Sequence, residues 1–159
     1  MKTTLTIGEK SLNFVCNAFT PILFKQIFRR DFMVEFSKNS EKATELISRA
    51  NELSKLQEDM KAGKVSKEEY LSKYSTLNID ADGLEAVDKK VELVSMLAFV
   101  MYKQSQETDI KKLYQLNELD YFEFLSLFEK EELRSSYVMN HIIAVWKGDS
   151  KALTEAKNV

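Results

Sequence analysis

The side chains that could do chemistry are few. His141 is the only histidine, set between Asn140 and Ile142. A general base needs a nucleophile or an orienting partner at a patterned spacing, and no such pattern accompanies it. Cys16, the only cysteine, follows Leu12 and Phe14 at every second position. It reads as a small buried apolar residue, not a reactive thiol. Zinc calls for about four Cys or His ligands, and these two are all the chain offers. The glycines at 8, 63, 83 and 148 are isolated from one another, so no phosphate-cradling loop is present. Asp80, Asp82 and Glu85 look like a fragment of a calcium loop, but the spacing fails and helix capping accounts for them. The carboxylates at 129, 131 and 132 read as a solvated helix start. No catalytic, cofactor-binding or metal-ligating residue is expected, and the chain is not expected to be an enzyme.

What the sequence offers in place of catalytic groups is apolar bulk. Ten Phe, six Tyr, one Trp and six Met fall within 159 residues. Aromatic side chains are enriched at the centres of interfaces, and methionine adapts to varied partners. Taken singly, each of these residues reads as core. Taken together, they predict an exposed groove or patch on the order of several hundred Å². Phe24, Phe28, Phe32 and Phe36 recur at four-residue steps and form one ridge on a helix. They are the first candidates for a surface that meets a client or a sister subunit, with Phe122 and Phe128 second.

Several elements must position these side chains. Leu5 and Ile7, then Leu12, Phe14 and Cys16, alternate with polar residues around Gly8-Glu9-Lys10, the pattern of a short β-hairpin over 3–16. Thr20-Pro21 predicts a helix start, with the hydroxyl as cap and proline in the first turn, running through the aromatic ridge to Phe36. Residues 37–83 turn rich in Lys, Glu, Ser and Asn, and their apolar stripes are thin. Asn39 or Ser40 is the expected cap of a first helix striped by Ala43, Leu46, Ala50, Leu53 and Met60, with Gly63 closing it. Ser66 and Glu69 form a capping box for a second helix, and 78–83 reads as a linker. This αα-hairpin is expected to be a peripheral arm inserted in a single helical domain over 1–148. The central helix is predicted over 84–102, capped by Asp82, with Leu84, Val87, Val91, Val94, Ala98 and Met101 as its seam. From Met96 to Met101 it is apolar all round and should be enclosed. Asn117 caps a helix through Phe128, a last helix runs from about Lys130 to Gly148, and 149–159 reads as a flexible tail. The fold class is mainly α (α+β), a small helical domain with a short N-terminal hairpin.

Charge and composition narrow the function. Four Gly and one Pro favour helices. Basic residues number 23 against 25 acidic, a net charge of −2, with no basic block to attract nucleic acid. Arg29-Arg30 alone makes no groove-reading surface, which argues against a transcriptional regulator. The longest apolar run, 96–102, is far short of the ~20 residues of a membrane span. No signal-peptide core opens the chain, and a lone cysteine suits a reducing compartment. A cytoplasmic protein that binds neither membrane nor nucleic acid is expected.

The hairpin TLTIGEKSLNF, the helix opening TPILFKQIF, the apolar VELVSMLAFVMYKQ, and NELDYFEFLSLFE followed by a helix ending AVWKG lie in this order along the chain. Together they resemble the tail assembly chaperones of long-tailed phages of siphophage type, those of phages of Gram-positive bacteria in particular. The likeness covers 3–36 and 84–148, and the 37–83 arm departs from it. The resemblance implies a non-enzymatic protein of the bacterial host cytoplasm, absent from the mature virion, that coats the apolar-faced helical tape measure protein. It further implies homo-oligomers along that client, displacement by tail tube protein, and a longer frameshifted form that recruits tube subunits. A helix-in-groove contact repeated along one client suits that role. The alternative is a helical adaptor, a connector, or a regulator that sequesters a host factor.

Overall fold

The computed structural model describes residues 1–151 and 153. Two strands, β1 (Lys2–Ile7) and β2 (Lys10–Val15), lead into helices α1 (Thr20–Phe28), α2 (Phe32–Lys61), α3 (Lys67–Leu77), α4 (Ile79–Gln106), α5 (Ile110–Tyr114), α6 (Glu118–Leu125) and α7 (Ser136–Lys147). The architecture is mainly α with a small β component, as the sequence pattern predicts. It divides into two compact units: Met1–Glu35 with Val91–Val159, and Phe36–Lys90.

In the first unit the strands pair antiparallel, with Leu5 opposite Leu12 and Thr3 opposite Phe14. Gly8 takes φ 59, the sign a two-residue hairpin loop requires at its first position. Alternation sends Leu5, Ile7, Leu12 and Phe14 inward. The outer face carries a Thr4–Asn13 hydrogen bond of 2.7 Å. The hairpin packs on α7 through β1, where buried His141 places Nε2 3.3 Å from the Thr3 hydroxyl. Cys16 is half-buried, not interior as expected, because β2 closes at Val15 and the alternation stops there.

The aromatic ridge is not one helix. α1 ends at Phe28, and Arg29 turns left-handed at φ 56. The Asp31 carboxylate then accepts the Val34 N–H at 3.1 Å, capping a new helix that starts at Phe32. Nor does Thr20 cap α1. Its buried hydroxyl accepts the Asn17 N–H at 2.9 Å and donates to Gln104 Oε1 at 2.7 Å. The Gln104 amide reaches back to Asn17 Oδ1 at 3.1 Å, closing a polar knot at the end of α4. Every position of α4 from Leu93 to Met101 is buried, so this half of the helix is enclosed as its pattern requires.

Asn117 opens α6 with a reciprocal capping box to Asp120. The last helix starts at Ser136, not near Lys130, because Ser135 accepts the Val138 N–H and residues 130–134 form turns. Gly148 ends it at φ 69, with Gly148 N–H on Val145 O and Asp149 N–H on Ala144 O, a Schellman pair. Of the expected tail, Leu153 is buried, whereas 152 and 154–159 lie outside the described residues.

In the second unit α2 runs on without a break at Asn39 or Ser40, which therefore cap nothing. The expected cap at Ser66 forms, its hydroxyl accepting the Glu69 N–H at 3.1 Å. The expected linker 78–83 is mostly helix, since Asn78 turns left-handed at φ 49 and α4 begins at Ile79. Asp82 accordingly sits inside the first turn. Its carboxylate holds Arg49, which also bonds Glu45, Arg49 Nη2 to Glu45 at 2.7 Å and Nη1 to Asp82 at 2.6 Å. Leu84 and Val87 are exposed, so the first part of the expected seam faces solvent. Within this unit Ala86, 7% exposed, is the only described residue that is buried.

Candidate functional site

Three of the six phenylalanines chosen from the sequence are interior. Phe24, Phe28 and Phe32 keep 0%, 6% and 3% of their surface exposed. Their rings continue a tilted and edge-on series. Phe32 meets Trp146 at 5.1 Å, Phe24 meets Phe32 at 5.5 Å and Phe28 at 5.1 Å, and Phe28 meets Phe99 at 6.1 Å. Phe99 passes the series to Phe124 at 5.7 Å, and Phe124 to Phe128 at 5.0 Å. These centroid spacings are those of interlocked core aromatics. The expectation that the ridge forms an exposed client surface is corrected: Phe24 and Phe32 are interior, and Phe28 is packed in the core with only an edge left to line the cleft beside Phe122. Phe36 is half-buried at the start of the second unit. Phe128 is half-buried under the Lys10 ammonium, 5.5 Å from its ring, and that ammonium also bonds Glu132 at 2.9 Å and the Leu127 carbonyl at 2.6 Å.

Phe122 behaves differently, with 56% of its surface open beside Leu119 at 70%. Residues 119 and 122 lie one turn apart on α6, so they share an outward face. The helix is amphipathic the wrong way round for a purely structural element. Phe124 is buried and Tyr121 half-buried on one side, while two large apolar side chains project from the other.

Next to Phe122 lies a cleft of about 280 Å³, walled by Phe28, Met96 and Tyr121 and rimmed by Arg30, Glu92 and Glu118. The break between α1 and α2 supplies its clamp. Arg30 forks onto Glu35, Nε to Oε1 at 2.9 Å and Nη2 to Oε2 at 2.6 Å, and its other amine bonds Glu92. Its sulfur neighbour is Met96 Sδ at 3.6 Å. The Glu35 hydrogen bonds, with help from Glu92 and against the cost of burial, hold the guanidinium pKa above its already high range. The Tyr121 ring stands edge-on to Phe28 at 5.3 Å. Burial pushes its phenol up to about 12, Glu92 adding to the shift and Arg30 opposing it. The ring serves the cleft as a wall.

From the sequence, Arg30 counts only with Arg29, as too little for a groove-reading surface, and Leu119 is not among the chosen site residues. The signals were present. Asp31 is a strong capping residue after two arginines, and 118, 119, 122 and 123 mix charge and grease on one helical face.

Two other hollows lie near the open end of the hairpin. The larger, about 380 Å³, is lined by residues including Phe19, Ile110 and Leu113, and the smaller, about 290 Å³, by Phe14 and flanking strand residues. Among the described residues no group of three or more His, Cys, Asp or Glu side chains is placed to hold a metal ion. No described helix is long and apolar enough to cross a membrane. Compared with protein-family models, curated proteins and solved structures, the chain matches none.

Proposed function

We propose that this chain is a non-enzymatic escort that binds apolar-faced helices of another protein, and that it serves as a tail assembly chaperone for a tape measure protein. The observation that carries this reading is the Leu119–Phe122 ridge beside the cleft of Phe28, Met96 and Tyr121. An exposed leucine and phenylalanine on one helical face, next to a preformed apolar hollow, are the two halves of a helix-in-groove contact. The order of hairpin, aromatic helices and apolar central helix supplies the family part of the proposal. In that role each copy holds its client weakly, many copies along one client add by multivalency, and arriving tube subunits displace them one at a time. The setting is the cytoplasm of a bacterial host.

Co-expression with a candidate tape measure protein tests the reading. The wild-type chain should keep the client soluble and co-purify with it. Phe122→Ser with Leu119→Ser should lose both while keeping its helical circular dichroism. A client equally soluble without the chain contradicts the proposal.

A further inference from the structure

The cleft beside α6 is also charged, and its charge selects among helices. Arg30 is its basic residue, and it is already committed to Glu35 and Glu92. Glu118, on the rim, adds a third carboxylate against that one guanidinium. Glu118 stands one turn before Phe122, so a carboxylate and an aromatic anchor project side by side from the same helical face. The volume of about 280 Å³ suits one or two large side chains.

Resting on the escort reading, we propose that the occupant is an amphipathic helix of a partner protein that carries a lysine or arginine one turn from its apolar anchor. The anchor enters between Phe28, Met96 and Tyr121, and the cation lies against Glu118 and Glu92. A second copy docking through its own α6 is disfavoured. Its Leu119 and Phe122 are flanked on their own face by Glu118 and Glu123, so two such faces would set carboxylate against carboxylate. The same repulsion rejects clients whose apolar stripe is bordered by acids, which gives the escort a charge filter in addition to its appetite for apolar surface.

The test uses the full chain and two synthetic helical peptides on an alanine background. Both carry the same Leu and Phe anchors, and one has Lys, the other Glu, one turn from them. Fluorescence anisotropy at low ionic strength should give tighter binding of the Lys peptide by roughly tenfold. Glu118→Lys should erase or invert that preference, Glu118→Gln should halve it on a logarithmic scale, and Phe122→Ser should abolish binding of both peptides. Added salt should narrow the gap between them. Equal affinities, or a preference untouched by Glu118→Lys, overturn the charge filter. If both peptides bind equally and both need Phe122, the filter falls and the escort reading stands. If neither binds while a full-length client still co-purifies, the filter falls as well. If no client is kept soluble by the wild-type chain, the escort reading itself is what has failed.

Discussion

Single side chains divide into those that hold the fold and those left over for a partner. Phe28 touches Phe24, Phe99 and Tyr121, so Phe28→Ala should cost about 3–5 kcal/mol in chemical denaturation. Phe122→Ser should shift stability by less than about 1 kcal/mol, because 56% of its surface is already open and its contact with the Tyr121 ring, 5.9 Å between centroids, is partial. Thr20 is fully buried and serves both Asn17 and Gln104. Thr20→Val keeps the shape and strands both partners, so a loss of about 1–3 kcal/mol is expected. Glu132 is a pH-dependent tie. The Lys10 ammonium and the Glu129 N–H hold its carboxyl below the ordinary value of 4.5. A depressed carboxyl contributes stability above its unfolded value and loses it as pH falls through the folded one. Wild type and Glu132→Gln should therefore differ most near neutrality and converge in urea titrations run progressively below about pH 4.5. No such convergence would mean that the Lys10 pair contributes nothing.

At the level of elements, local signals were legible where one residue type decides the backbone. The hairpin followed from Gly8 and strict alternation, α6 from Asn117 with Asp120, and the end of α7 from Gly148. Asn117→Ala should cost about 1 kcal/mol in thermal unfolding, since its side chain accepts the Leu119 and Asp120 N–H groups, while the return bond from the residue 117 N–H to Asp120 survives. Starts and breaks decided by tertiary partners were not legible. Thr20 looked like a cap, but the buried Gln104 claimed its hydroxyl. The four-residue spacing of phenylalanines hid a break at Arg29–Asp31, because Phe24, Phe28 and Phe32 reach the same interior from two helices as readily as from one. Asp82 looked like a helix start, yet the helix begins at Ile79 and Asp82 serves Arg49. The candidate site was half legible: Phe122 was named and Phe28 belongs to the cleft wall, but Arg30, Glu118 and Leu119 came only with the fold.

Across the whole molecule, stability is unevenly spread. The first unit encloses α4 from Leu93 to Met101, whereas the second has Ala86 as its one buried described residue and relies on surface pairs such as Arg49 with Glu45 and Asp82. Exposed ion pairs contribute little each. Amide exchange should therefore be fast across 36–90 and slow by several orders of magnitude across 93–101, the low and high ends of local unfolding free energy. Uniform protection across both stretches would contradict the distribution of core just described. The account as a whole turns on whether α6 presents a working surface for a partner helix. The direct measurement is sedimentation of a co-expressed tape measure protein with wild-type chain and with Leu119→Ser/Phe122→Ser. The account predicts that the client moves from supernatant to pellet while the variant itself remains folded and soluble. A client that stays in the supernatant with the variant would contradict it.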